Sequence, residues 1–264
     1  IEDLYVPSMS SKTLVYKGLL IATQLGRFYK DLSRPEYETS LAVFHQRYST
    51  NTLPNWFLAQ PLRLLGHNGE INTLQGNRHW IRAREPELTS NFWGDDVNRL
   101  LPIIQAGGSD SAQFDNVLEL LVASGRGLLE SISMMIPEAW ENMPNLDEQL
   151  GAFYKYNSCL TEPWDGPAAM AFSDGMVVGG ALDRNGLRPA RYKITSNNLV
   201  LMASEVGVID FPIQDVIEAG RLGPGHMIAV DVQNKRILRN AELKQEISTR
   251  KPYNKWIEDH MVSL

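Results

Sequence analysis

The amino-acid sequence predicts an α+β fold in which strands and helices are grouped along the chain. Two short apolar runs, residues 41–44 and 62–65, come first and indicate strands. Helical periodicity follows in the middle of the chain, and short apolar runs separated by turn residues occur again after residue 168. Because a parallel βαβ fold alternates strands and helices one by one, this grouping favours α+β.

Length and composition are those of an ordinary globular domain. The 264 residues suit one large domain or at most two, with 43% hydrophobic and 21% charged residues. A formal net charge of −6 gives no electrostatic support for nucleic-acid binding. Apolar runs fall short of the ~20 residues that a membrane-spanning helix needs. The single Cys159 cannot form an internal disulfide, which suits a reducing compartment.

In the first half of the chain, apolar spacing predicts short strands, loops and one clear helix. Trp56 and Phe57 lie in a loop, where they are either buried ring anchors or the lining of a channel mouth. Pro86 ends the helix because proline breaks the backbone hydrogen-bond pattern. The predicted segments are strands at 4–6 and 13–16, a weak helix or loop at 18–29, a strand entered from 35–44 that carries Arg47, a loop at 51–61 and a helix at 73–84.

The second half predicts helices, then an antiparallel meander over residues 168–203, and then a further hairpin formed by residues 227–232 and 236–238. Turn signals such as Ser173-Asp174-Gly175 separate its apolar runs at regular intervals. The charged and polar segment 241–264 is expected to leave the domain towards the rest of a larger polypeptide, so that the domain itself covers 1–240. The predicted segments are helices at 115–124, 128–135 and 140–160, and strands at 168–172, 176–182, 190–194, 199–203, 227–232 and 236–238.

Polar residues at the ends of the two early strands form the candidate site. Arg47 follows the run 41–44, and Asn68-Gly69 follows the run 62–65. An arginine fork matches both oxygens of a carboxylate, whereas an Asn amide beside a Gly backbone N–H offers two donors that can converge on an oxyanion. Both patterns are common, and Asn-Gly is most often simply a turn. Ser109 or Asp110, before a helix, is by the same residue-level reasoning a loop or capping residue.

Longer motifs sharpen this interpretation, because they resemble a known family in order and rough spacing. The short motifs Arg47-Tyr48-Ser49-Thr50, His67-Asn68-Gly69 and Ser109-Asp110-Ser111 resemble the glutamine-binding motifs of class II glutamine amidotransferases. The longer strings from His67 to Thr73, from Leu182 to Tyr192 and from Arg221 to Gly225 look like the amidotransferase domain of glutamate synthases. The resemblance covers nearly the whole chain, and it implies a four-layer αββα sandwich of the N-terminal-nucleophile hydrolase type.

The resemblance assigns a role to each matching residue. Arg47, helped by Thr50, would bind the α-carboxylate of glutamine, and Asp110 would bind its α-ammonium group. The side chain of Asn68 and the backbone N–H of Gly69 would form the oxyanion hole. Family members often have His after the Thr of the arginine motif, where this chain has Asn51, so the role of that position stays open.

One departure from the family concerns the nucleophile. The family uses a cysteine at the first position of the mature chain, with its own α-amine as the base, whereas residue 1 here is Ile1. The fold is therefore expected to be incomplete at the N-terminus. We expect this chain alone to be poorly stable and inactive, because Arg47, Asn68, Gly69 and Asp110 can position a substrate but cannot attack it.

The resemblance implies hydrolysis of L-glutamine to glutamate and ammonia, which a synthase domain would add to 2-oxoglutarate. FMN and an iron–sulfur cluster are implied for that full enzyme and no cofactor or metal for this chain. The expected partners are L-glutamine and the remaining glutamate synthase domains, without nucleic acid or membrane. The expected compartment is the cytoplasm, or the plastid stroma in a photosynthetic eukaryote.

Three alternatives remain open from the sequence. Cys159 could be the nucleophile, although it lacks a free α-amine, and an isolated cysteine is usually a small buried residue. The chain could instead be a non-catalytic glutamine-binding module that uses Arg47 and Asp110 without a thiol. It could also be a purely structural domain derived from the same fold, which glutamine binding would argue against.

Overall fold

The chain folds into seven α-helices and eight β-strands within the part that the computed structural model describes, residues 4–47, 53–205 and 207–262. The helices are α1 Ala22–Phe28, α2 Leu74–Arg84, α3 Asp110–Ala123, α4 Leu128–Met135, α5 Glu148–Ser158, α6 Asn240–Thr249 and α7 Tyr253–His260. The strands are β1 Leu65–Gly69, β2 Ala168–Ser173, β3 Val177–Leu182, β4 Arg191–Thr195, β5 Val200–Ala203, β6 Val216–Arg221, β7 Met227–Asp231 and β8 Arg236–Leu238.

The strands form two antiparallel sheets. The larger has five strands in the order β1-β2-β3-β7-β8, and the smaller has three in the order β5-β4-β6. Within the larger sheet, β1 pairs with β2 so that Asn68 lies opposite Ala169 and Gly69 opposite Ala168. All ladders are antiparallel and the helices are segregated from them, so the predicted α+β class is confirmed.

Two apolar cores arrange these elements in layers. The main core joins one face of the larger sheet, including Phe172, to helices that contribute Phe114 and Phe153. A smaller core fills the space between the two sheets, where a Cβ on Gly180 would lie 2.0 Å from Met202 Cε. Ile217, on the far face of β6, is 68% exposed. The described residues thus build a helix layer, the larger sheet and the smaller sheet, which are three of the four layers expected from the resemblance.

Helices α3 and α5 begin at side-chain caps that the sequence prediction did not place. Helix α4 has the predicted bounds, whereas α3 begins five residues earlier than predicted because Ser109 Oγ accepts a hydrogen bond from Ala112 N at 3.2 Å. Helix α5 is shorter than predicted. It begins after Asp147, whose Oδ1 accepts from Leu150 N at 3.0 Å, and the segment 140–147 before it is not helical.

The early strand predictions are wrong. Segments 4–6, 13–16 and 41–47 are extended chain without a sheet ladder. Some of their backbone groups bond to side chains instead: Val15 N donates to Ser8 Oγ at 3.1 Å, and Val6 O accepts from Arg63 Nε at 3.2 Å. A sequence suited to a strand needs a pairing partner, and none of these segments pairs with a strand among the described residues.

The later strands lie close to their predicted positions, but their connectivity differs from the prediction. The chain changes sheet between β3 and β4, so a single meander is wrong. Strand β6 was missed because its residues include Glu218, Gly220 and Arg221, which are uncommon in strands, and because only one of its faces is covered.

The C-terminal segment is part of the packed body. Leu243 and Ile247 of α6 and Tyr253 of α7 belong to the main core. Lys244 is buried and lies 3.7 Å from Glu138 Oε1. The core therefore extends past residue 240, the predicted end of the domain, whereas a continuation beyond residue 264 stays a prediction.

Candidate active site

Asn68 and Gly69 lie at the end of strand β1, where residues 69–70 cross very close to residues 166–167. Gly69 has a φ of +144°, and a Cβ at this position would lie 1.7 Å from the carbonyl oxygen of Pro167. Opposite it, Gly166 has a φ of +156°, and a Cβ there would lie 1.9 Å from Glu70 O. Only glycine suits either position, because both the dihedral angle and the contact exclude a side chain. The close approach holds the Asn68-Gly69 peptide in one orientation.

A polar loop supports this crossing from the other side of β2. Asp183 is 3% exposed, and its Oδ2 accepts from Ala168 N at 3.0 Å. Its Oδ1 accepts from Asn185 N at 3.0 Å. Ala168 lies on β2 opposite Gly69. Asp183, in the motif from Leu182 to Tyr192, therefore holds the part of β2 that lies beside the candidate site.

The first turn of helix α3 brings Asp110 to the same place. Asp110 Oδ2 accepts from Ile71 N at 2.9 Å, and its Oδ1 accepts from Ser111 N at 2.7 Å. Asp110 lies at the N-terminal end of α3, where the helix dipole stabilises a negative charge. Its side chain remains 21% exposed, so the carboxylate can also receive hydrogen bonds from a ligand.

His67 links Asp110 to β1. Its Nδ1 lies 2.9 Å from Ser111 Oγ and 3.9 Å from Asp110 Oδ2. Burial lowers the pKa of His67, because its side chain is fully enclosed and a charged ring would lose its hydration. The backbone of His67 is held by Gln60, whose amide donates to His67 O at 3.0 Å and accepts from His67 N. The residue before Asn68 is therefore fixed through both side chain and backbone.

A second histidine reaches Asn68 directly. His45 Nε2 lies 2.8 Å from Asn68 Oδ1. Two residues earlier in both segments, Val43 Cγ1 lies 3.7 Å from the position of a Cβ on Gly66. These two contacts place residues 43 and 45 against the side of β1 towards which Asn68 and a Cβ on Gly66 would point.

Asp115 attaches the start of β1 to helix α3. Its carboxylate accepts from Arg63 N at 3.1 Å and from Leu64 N at 3.0 Å. Burial raises the pKa of Asp115 to about 7, although the two backbone donors act in the opposite direction. The elements that carry Asn68 and Asp110 are thereby tied together by one buried carboxyl group.

The structure therefore brings together Asn68, Gly69 and Asp110 among the predicted site residues. Arg47 is exposed, two residues beyond His45, and forms no ion pair with any residue in the described ranges. Thr50 and Asn51 lie outside the described residues. Sequence reasoning gave no role to His45 or His67, although each lies within two residues of a predicted site residue.

Cys159 stands apart from these groups. It lies at the end of α5 and is exposed, so the expectation of a small buried residue is wrong. Its thiol lies 3.5 Å from Lys155 O and has no contact with the candidate site among the interactions of the described residues. No metal-binding group of three or more His, Cys, Asp or Glu side chains occurs in ranges 4–47, 53–205 and 207–262. In these same ranges, no helix has the length and apolar character to cross a membrane.

Comparison with known proteins agrees with the motifs. Residues 1–256 match the family described as class-II glutamine amidotransferases. The chain is 51% identical over 260 residues to ferredoxin-dependent glutamate synthase 2 of Synechocystis sp., covering 97% of this chain and 17% of that protein. It is 49% identical to ferredoxin-dependent glutamate synthase of Pyropia yezoensis, covering 98% of this chain and 17% of that one.

A third relative carries NADPH in its name in place of ferredoxin. The chain is 47% identical over 262 residues to the glutamate synthase [NADPH] large chain of Bacillus subtilis, covering 99% of this chain and 17% of the relative. The chain thus spans about one sixth of the length of the relatives that it matches. The similarity extends over almost all of this chain, including every element of the candidate site.

Proposed function

The chain belongs to the class II glutamine amidotransferases, and from that premise we propose that it forms the glutamine-binding and oxyanion-stabilising part of the glutaminase site of a glutamate synthase. The observation that carries the proposal is the junction of Asn68, Gly69 and Asp110 at the end of β1. Neutral donors lie there beside a carboxylate that stays partly exposed. That combination suits an amide substrate which also bears an ammonium group.

Each group has a defined task in the proposed reaction. A thiolate attacks the side-chain amide carbon of glutamine, and the carbonyl oxygen becomes an oxyanion that receives hydrogen bonds from Asn68 Nδ2 and Gly69 N. Collapse of this intermediate breaks the C–N bond and releases ammonia, and water then hydrolyses the thioester to glutamate. The cysteine that the resemblance implies as the nucleophile is not among these 264 residues, in which residue 1 is Ile1.

The substrate's polar end is assigned to two charged residues. Asp110 would receive the α-ammonium group through the lone pairs that Ile71 N and Ser111 N leave free. Arg47 would bind the α-carboxylate, and its exposed side chain is available for that contact. Thr50 would assist Arg47, as the family resemblance implies. The two charges of the substrate would then define the orientation of its side chain towards Asn68.

In the whole protein, we propose, the ammonia passes to a synthase domain that forms glutamate from 2-oxoglutarate in the cytoplasm or the plastid stroma. FMN and an iron–sulfur cluster would belong to that part of the protein. The single cysteine of this chain cannot ligate a cluster by itself, and ranges 4–47, 53–205 and 207–262 hold no metal-binding group. The partners of this domain would be L-glutamine and the remaining domains of the enzyme.

The oxyanion assignment is tested by Asn68→Ala in the complete amidotransferase domain with its N-terminal cysteine. We expect a loss of roughly 100- to 1000-fold in kcat with little change in KM, because an oxyanion donor acts mainly in the transition state. Asn91→Ala, at an exposed position outside the site, is the matched control. A raised KM with unchanged kcat would show that Asn68 binds the ground state and the transition state equally, and would overturn the oxyanion assignment.

The same preparation separates the alternatives. Cys159→Ser should leave ammonia release unchanged, whereas abolished release would make Cys159 the nucleophile. Glutamine binding measured by calorimetry, without ammonia release from the wild-type domain, would favour a non-catalytic binding module. Absence of both binding and release would leave a structural role.

A further inference from the structure

We infer that His45 is a positioning residue that orients the Asn68 amide for catalysis. The inference rests on the proposed glutaminase function and adds a residue to which the family motifs gave no role. His45 Nε2 lies 2.8 Å from Asn68 Oδ1, so the ring holds the carbonyl end of the carboxamide. A planar carboxamide presents oxygen on one edge and nitrogen on the other. With Oδ1 turned to His45, the Nδ2 donors face away from the ring.

The orientation matters because the two ends of a carboxamide have nearly the same shape. A rotation of 180° about the last side-chain bond would exchange Oδ1 and Nδ2 without a steric penalty. The exchanged form would direct a carbonyl oxygen at the developing oxyanion and would repel it. Only hydrogen bonding distinguishes the two forms, and the Nε2–H donor of His45 selects the productive one.

The surroundings of His45 favour the tautomer that this role needs. Its other ring nitrogen, Nδ1, is buried and has no hydrogen-bond partner among the described residues. A proton on Nδ1 would be a buried, unpaired donor, whereas an unprotonated Nδ1 leaves only a weakly solvated lone pair. The neutral ring with its proton on Nε2 is therefore the form that fits, and it donates to Asn68.

Neighbouring contacts hold both partners in place. Val43, in the same segment as His45, packs beside Gly66 of β1, and Gln60 bonds to the backbone of His67 immediately before Asn68. Arg47 follows two residues after His45 in the same segment. One segment therefore carries both the proposed carboxylate-binding arginine and the residue that orients the oxyanion donor.

The test is a double-mutant cycle on glutaminase activity in the complete amidotransferase domain with its N-terminal cysteine. His45→Ala is expected to lower kcat about 10- to 100-fold with KM changed less than about twofold, because misplacing a catalytic group by about 1 Å has effects of this size. His45→Gln, whose amide N–H can take the place of Nε2–H, is expected to recover most of kcat. His79→Ala, at an exposed position on α2, is the matched control and should be silent.

The double variant His45→Ala/Asn68→Ala distinguishes positioning from an independent role. If His45 acts only through Asn68, the double variant loses no more kcat than Asn68→Ala alone. The inference would be overturned if the kcat losses of the two single variants multiplied in the double variant. It would also be overturned if His45→Ala changed only KM, or if His45→Gln had a kcat as low as that of His45→Ala. Thermal melts of each variant identify a folding defect, and His45→Gln decides the question if His45→Ala does not fold.

The outcomes also separate this inference from the proposed function. A large kcat loss in Asn68→Ala together with normal His45→Ala kinetics refutes the role of His45 and leaves the oxyanion hole intact. A normal kcat in Asn68→Ala refutes the oxyanion assignment itself, and the positioning role of His45 with it.

Discussion

Asp115 makes the stability of this domain depend on pH in a direction opposite to that of most carboxylates. Burial raises the pKa of its carboxyl group from an ordinary value of 3.8 to about 7 in the folded chain. Between these two values the unfolded chain has lost the proton and the folded chain retains it. The stability that the group contributes is complete below about pH 4 and is lost as the pH rises through about 7.

The magnitude follows from the two pKa values. The difference between about 7 and 3.8 is about 3 pKa units, and each unit corresponds to about 1.36 kcal/mol. Asp115 should therefore account for a fall of about 4 kcal/mol in the free energy of unfolding between pH 4 and pH 8. This is a large part of the 5–15 kcal/mol that typically stabilises a domain. The loss comes from burying the charged carboxylate, because the N–H groups of Arg63 and Leu64 favour the ionised form.

The assay is urea denaturation at several pH values for the wild type and for Asp115→Asn, which does not titrate. Other groups cancel in the difference between the two proteins. We expect the advantage of the wild type to shrink by about 4 kcal/mol from pH 4 to pH 8. Asp174→Asn, at a carboxylate whose Oδ1 accepts from two backbone N–H groups at 2.9 Å, is the control for replacing a carboxylate beside backbone donors by an amide. A pH-independent difference for Asp115→Asn would refute the argument.

Two further variants test the candidate site. Arg47→Lys should raise the KM for glutamine by at least tenfold, because lysine cannot reproduce a bidentate fork worth roughly 1.5–3 kcal/mol. An unchanged KM would remove Arg47 from the site. Gly69→Ala should cost at least about 3 kcal/mol in urea denaturation, since its Cβ would lie 1.7 Å from Pro167 O at a φ of +144°. Gly76→Ala in α2, with open space around it, should instead stabilise by about 0.5–1 kcal/mol, and equal effects at both positions would contradict the steric argument.

Local chemistry made several parts of this protein predictable. Pro137 lies just beyond the end of α4, and turn residues such as Asp174-Gly175 separate β2 from β3. These features depend on residues a few positions apart, so a single sequence contains the whole cause. The motif that carries Asn68 and Gly69 was recognisable through its resemblance to family motifs, and its glycine meets a local need for a positive φ at the end of β1.

The resemblance to family motifs identified Asn68, Gly69 and Asp110 as candidate site residues, and residue types and their spacing were enough for the α+β class, most helices and later strands. They did not reveal which strand joined which sheet, that α6 and α7 pack on the main core, or that His45 contacts Asn68 across 23 positions of the chain. Strand pairing, burial and hydrogen bonding between distant segments depend on which surfaces meet in the folded chain. Residue type and spacing indicate which secondary structure a segment prefers. The strand, helix or side chain that the segment contacts comes from a distant part of the sequence, so local patterns do not identify it.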